Sequence, residues 1–294
     1  MKKNLISRLA QEQSFFWSMP ALLWQLLFLY VPIAVIVVLS VLQRVDYAFW
    51  QHVTFAHYRT VMQPMYLVII GRSLFLALSN ACICLLFAYP VGYFLALRAK
   101  SWKNILLLLL ILPFWTNFLV QVYAWFFVLE RNGFLNLILQ KFYLIAEPLQ
   151  IVNTQAAIQL VMLFCYLPFM IMPIYTGLEK INKRLFEASA DLGANSWQTF
   201  LRVTLPLSLS GVRTGFFLVF IPSFGEFVIP ALLGGGKTMY VGTLVSYYFV
   251  ESKNAHLGSA FTVVSAIILG LSAVALLMLF KQSVRRSFAK DRAS

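Results

Sequence analysis

Residues 187–206 read "EASADLGANSWQTFLRVTLP". Two carboxylates, an arginine and a central glycine separate two short amphipathic patterns, in a chain that is 61% hydrophobic and only 11% charged. Leu185, Ala188, Ser189 and Leu192 fall at i, i+3, i+4, i+7, which predicts a helix over 182–192. Gly193 follows as a residue free to take positive φ at the helix end. Asn195 or Ser196 is placed to cap a second helix, in which Trp197, Phe200 and Leu201 share a face. Pro206 is expected to end it. Ala188, Ser189, Ala190 and Gly193 are small, so another surface has room to approach this backbone.

The sequence on either side is built for a different solvent. A soluble chain is roughly 45–50% apolar and about 25% charged. Here the mean hydropathy is +0.81, and six apolar runs stand out at about 20–42, 67–97, 105–129, 154–178, 209–233 and 258–280. They are too long for strands and lack period-2 alternation. Pro32, Pro90, Pro113, Pro168, Pro173, Pro222 and Pro230 lie within them. Prolines inside spans imply bent helices whose freed carbonyls are satisfied by neighbours, as in a packed transport bundle. The expected fold class is therefore all-α, a polytopic membrane protein with six transmembrane helices.

Charge gives the orientation. The N-terminal arm, the loop after the second run, the 187–206 region with its flanks, and the tail together hold sixteen Lys and Arg. The alternate loops hold six, namely Arg44, Arg59, Arg131, Lys141, Lys237 and Lys253. The positive-inside rule puts both termini and the insert in the cytoplasm. It also accounts for a net charge of +13 without nucleic acid. A DNA-binding helix-turn-helix is not expected, because both ends of the insert run into spans and no third helix is available to complete that domain. The first run is longer than a signal h-region and no A-x-A site follows it, so it is expected to stay. The division is a cytoplasmic arm (1–19), a transmembrane domain (20–280, core from about 67, insert about 179–208) and a basic tail (281–294).

Other patterns carry less. Residues 231–238, "ALLGGGKT", satisfy a permissive Walker A pattern, but a membrane run precedes them and the charge rule places them outside the cell. ATP binding is not expected there. His52, His57 and His256 fall in expected external loops and are read as solvated. Cys82, Cys84 and Cys165 sit in apolar runs without metal or redox spacing. With no Ser/His/Asp grouping and no H-E-x-x-H, no catalytic, metal or cofactor site is expected in this chain. On the third run Trp115, Tyr123 and Trp125 flank Asn117 and Gln121. They suit either bundle packing or a cation path, because aromatic faces attract alkylammonium groups and amide oxygens accept their hydrogen bonds. Glu226 is the only acid well inside an apolar run, bracketed by Pro222 and Pro230. Such an acid is either a functional group or a structural contact.

The opening stretch resembles the cytoplasmic "EAA" loop of ABC importer permeases, written EAA-x3-G-x9-I-x-LP. Glu187 and Ala188 match, Ser189 replaces the second Ala, Gly193 is in register, Val203 replaces Ile, and Leu205 and Pro206 close the motif. The segments "LPFWTNFLVQVYAW" (112–125), "RNGFLN" (131–136), "YLPFMIMPIYTGLEKI" (166–181) and "FIPSFGEFVIPALLGG" (220–235) are similar to the permeases of spermidine/putrescine systems, within the binding-protein-dependent, MetI-like family. The resemblance implies a type I ABC importer permease fold in a bacterial inner membrane. It makes Glu187, Ala188, Ser189, Gly193, Leu205 and Pro206 the residues that seat in an ATP-binding subunit. With a polyamine cargo, the residues already singled out on chemical grounds, Glu226, Trp115, Asn117, Gln121, Tyr123 and Trp125, become candidates for its path. The implied partners are a second permease subunit, two ATP-binding subunits that hold the ATP, an extracytoplasmic binding protein and membrane lipid. Another cargo, such as ferric iron or an oxyanion, stays open. An ion-coupled secondary transporter is the other class, and the EAA spacing argues against it.

Overall fold

A computed structural model describes residues 19–43 and 52–290. The elements are α1 (Met19–Val41), β1 (Leu42–Gln43), β2 (His52–Val53), α2 (Ala56–Val61), α3 (Pro64–Leu97), α4 (Lys103–Ile111), α5 (Phe118–Leu129) and α6 (Phe134–Lys141). Then come α7 (Gln155–Glu179), α8 (Arg184–Asp191), α9 (Ser196–Phe224), α10 (Val228–Leu233), α11 (Val241–Ser246) and α12 (Ala255–Lys290). The N-terminal arm up to residue 18, Arg44 and the last four residues of the tail lie outside the described residues.

The chain divides into two compact units, Met1–Gln63 with Tyr247–Ala266, and Pro64–Ser246 with Ile267–Ser294. In the first, α1 exposes nearly its whole apolar surface. Its C-terminal end is pinned where the Ser40 hydroxyl meets the Tyr58 hydroxyl at 2.7 Å. Leu42 and Gln43 pair antiparallel with Val53 and His52. The rings of His57 and His256 stack at 6.1 Å, with His256 Nδ1 3.1 Å from the Leu39 carbonyl. These two histidines are half-buried, not solvated as the sequence suggested.

The second unit is organised by α3, α7 and α9, which pack against one another. On α3 the buried positions Ala77, Ala81, Cys84 and Ala88 form a stripe of small side chains at helical spacing. Helix α7 contributes Val161, Met170, Ile171 and Ile174, and α9 contributes Val212, Phe216, Val219 and Phe220. Lipid tails are as apolar as leucine, so close packing and hydrogen bonds must hold such helices together. Both are present. At the α7–α9 crossing a Cβ on Gly211 would strike the Pro173 carbonyl, so only glycine permits this approach. Asn80, fully buried, donates to Ser223 Oγ at 2.8 Å and accepts from Gln159 Nε2 at 3.3 Å, tying α3 to both partners.

Among the described residues five helices are long and apolar enough to cross a membrane, or six if one bent pair counts as a single span. The bent pair carries the bending expected at Pro113 much further than a kink, to a break within the third run, placed at 105–129. Lys103–Trp115 and Phe118–Lys141 meet at 95°. Pro113 cannot donate, and a tight turn over Leu112–Trp115 ends with Thr116 extended.

The insert and the fifth span also differ from expectation. Pro206 does not end a helix; α9 runs through it from Ser196 to Phe224. The turn before it, Phe200–Thr204, widens so that Leu205 N–H reaches the Phe200 carbonyl five residues back. That widening relieves the clash a proline ring makes with the preceding turn. The same solution occurs in α1, where Leu26–Tyr30 is wide and Val31 N–H bonds Leu26 O just before Pro32. At the other end α9 stops at Phe224, so Glu226 sits in a break between helices rather than within one.

Candidate coupling insert and transmembrane cavity

The insert is held by its own hydrogen bonds. At the end of α8, Gly193 N–H bonds the Ala190 carbonyl at 2.9 Å and Ala194 N–H bonds the Ser189 carbonyl at 3.1 Å. This pairing needs a left-handed residue between them, and Gly193 has φ +76°. Asn195 then caps α9 reciprocally: its side chain accepts from Gln198 N–H at 2.8 Å, and its own N–H donates to Gln198 Oε1 at 2.9 Å. The Ser189 hydroxyl meets Thr199 Oγ1 at 2.8 Å and joins the two helices. The Ser that replaces the second Ala of the motif therefore has a structural partner. Trp197 stacks on Phe200 at 5.4 Å. Glu187, Ala188, Leu192 and Gly193 are exposed, and nothing lies within 4 Å of where a Gly193 Cβ would be. Leu205 and Pro206 lie farther along α9, half-buried, and are not part of that exposed knob.

The other candidate residues separate into three groups. Asn117 caps α5 by accepting from Leu119 N–H at 2.9 Å. Gln121 donates to Pro113 O and to Thr116 Oγ1, bracing the break in the third span. Trp115 is 78% exposed and Tyr123 is exposed as well, while Trp125 packs edge-on against Phe164 at 5.0 Å. So the five residues of the third run do not converge. Only Gln121 lines a cavity of about 580 Å³ between the broken segment, α7 and α9. Gln121 and Trp125 line a smaller neighbour of about 320 Å³.

Glu226 is 8% exposed and both of its oxygens are engaged. Oε1 accepts from Val228 N–H at 2.9 Å and from Ile229 N–H at 3.4 Å, the first turn of α10. A carboxylate there is favoured by the unsatisfied amides. Oε2 accepts from the Tyr166 hydroxyl at 2.7 Å. Tyr166, also 8% exposed, lines the larger cavity, so the acid reaches that cavity only through the phenol. Tyr166 and Asn80 were not singled out in the sequence. Asn80 carried a usable signal, a carboxamide within a long apolar run; Tyr166 carried none, since tyrosine is common in such runs. The Walker-like residues form a turn between α10 and α11, with Gly235 and Gly236 at positive φ and the Asn153 N–H on the Leu233 carbonyl at 2.8 Å. A helix precedes that turn where a phosphate loop needs a strand.

Residues 88–286 match the family described as the binding-protein-dependent transport system inner membrane component. The chain belongs to that family. It is 36% identical over 249 residues to the spermidine/putrescine transport system permease protein PotB of Escherichia coli K12, covering 84% of this chain and 90% of that one. The inner membrane ABC transporter permease protein YdcU of the same organism is 32% identical over 74% of this chain and 73% of its own length. A sulfate transport system permease, CysW of Synechococcus elongatus, is 29% identical over 63% of this chain. In fold, the chain is similar to a component of a bacterial ABC transporter that imports the polysaccharide alginate, with TM-score 0.66 and 17% identity over 96% of this chain and 98% of that one. The expected membrane permease architecture is thus the observed one. This chain is an inner membrane permease component, and its long apolar helices are its membrane-crossing elements.

Proposed function

We propose that this chain is the permease subunit of an ATP-driven importer for polyamines, putrescine or spermidine, delivered by an extracytoplasmic binding protein. The observation that carries the cargo is the 36% identity to spermidine/putrescine permeases over 84% of the chain. The sulfate permease match is shorter and weaker, which keeps an oxyanion importer as the second reading. In this account a second permease and two ATP-binding subunits complete the complex, ATP is bound and hydrolysed on those subunits, and both termini lie in the cytoplasm.

The chain itself makes and breaks no covalent bond. Its part is mechanical. The exposed end of α8 and Gly193 seat in an ATP-binding subunit, and α9 carries any displacement from Ser196 to Phe224 as one helix. Beyond Phe224 the chain turns at the break that holds Glu226, beside the cavity. A movement at the cytoplasmic insert is thereby delivered to the walls of that cavity. Disrupting the gene in its native host tests the cargo. Uptake of labelled putrescine or spermidine should fall and return with the gene in trans. Unchanged polyamine uptake with lost sulfate uptake would favour the second reading.

A further inference from the structure

We propose that the cavity between the broken α4–α5 segment, α7 and α9 is a transient site for an alkyl-diammonium cargo, contacted by Tyr166, with Glu226 as the group that orients Tyr166. The inference rests on the polyamine reading above and assigns that cargo a place in this chain. The cavity is about 580 Å³ and, among the described residues, no charged side chain lines it. Phe114, Phe118, Phe169 and Tyr166 supply aromatic walls. Phe114 meets Phe169 edge-on at 4.7 Å, and Phe169 lies 6.2 Å from Tyr166. Ring faces attract ammonium groups, and the same apolar walls suit the methylenes between them. Thr116, Gln121 and Tyr166 add oxygen acceptors. Gln121 commits its amide nitrogen to Pro113 and Thr116, which leaves its carbonyl oxygen as an acceptor.

Glu226 fixes the direction of the Tyr166 hydroxyl. Its Oε1 faces two backbone N–H groups, which only donate. Its Oε2 is therefore left to accept, and the Tyr166 hydrogen points at it. The lone pairs of the phenolic oxygen then remain for a cation. A glutamine at 226 would have to turn its carbonyl to Val228 and Ile229, and its NH2 would face Tyr166. The phenol would become the acceptor there and turn its own hydrogen away from residue 226. The carboxylate thus makes the cavity wall an acceptor without placing a full negative charge in it. A passing dication is attracted and not trapped.

The test uses the complete importer in proteoliposomes with loaded binding protein, reading cargo imported per ATP hydrolysed. Tyr166→Phe should lower that ratio about fivefold, the scale of one hydrogen bond, with binding-protein-stimulated hydrolysis unchanged. Glu226→Gln should do the same, and the double variant should be no worse than Tyr166→Phe alone, because Glu226 acts through Tyr166. An unchanged ratio in Tyr166→Phe, additive losses in the double variant, or hydrolysis and import falling together would each overturn the proposal. If the unaltered importer moves another cargo and no polyamine, the cargo reading falls and this proposal with it. If it moves polyamine and the variants match it, this proposal alone falls.

Discussion

Gly193 is the residue on which the coupling account depends most. Its φ of +76° closes α8, and the space around it is open. Gly193→Val forces a β-branched side chain into the left-handed region, at a cost of roughly 1–2 kcal/mol, and fills the open side. Membrane insertion should persist while recovery of ATP-binding subunits on affinity purification drops severalfold. Recovery equal to the unaltered chain would remove Gly193 from the interface. The positive φ was legible from helix spacing alone, because a glycine one residue past an apolar stripe has few other uses. The role of Glu226 was not. Sequence spacing placed it in a bent helix between two prolines; the chain instead breaks at Gly225 and uses the carboxylate to start α10. Nothing in the local pattern distinguishes a kink from a break, since both follow from the same missing N–H groups.

At the scale of elements, the α7–α9 crossing is a tight constraint between two membrane-length helices. Gly177 and Gly211 face each other there: a Cβ on Gly177 would sit 3.3 Å from the Gly211 Cα. Gly211→Val must separate the helices, and overpacking of this kind costs about 1–3 kcal/mol. The purified protein should lose thermal stability in detergent, whereas Gly270→Val, where a Cβ meets nothing, should not. Equal stability of the two variants would contradict the packing described. Long apolar helices α3, α7 and α12 were legible because uninterrupted hydropathy over more than 20 residues has one common solution. The 95° break in the third span was not, because Pro113 sits in a run as apolar as those that stay continuous through proline. Pro206 gave the opposite error: a widened turn carried the helix past it, and that device has no sequence signature.

For the whole molecule, orientation is the property that charge alone predicts. Cysteines at Ser196 and Thr238, both exposed, should be labelled from opposite faces, Ser196→Cys by impermeant reagents only from the cytoplasm and Thr238→Cys only from outside. Reversed labelling would place the insert away from any cytoplasmic ATPase. The family was legible because the motif and the long segments around 112–125 and 220–235 are specific in order and spacing. The cavity was not, because its walls come from three stretches more than forty residues apart and meet only when α7 and α9 pack.

The central claim, that this chain is the membrane part of an ATP-driven polyamine importer, is tested most directly by reconstitution. The chain would be placed in liposomes with its second permease and ATP-binding subunits, and labelled putrescine and spermidine uptake followed with ATP or a non-hydrolysable analogue inside. The account predicts uptake only with hydrolysable ATP and loaded binding protein outside. Uptake that proceeds with the analogue and follows an imposed ion gradient would contradict it.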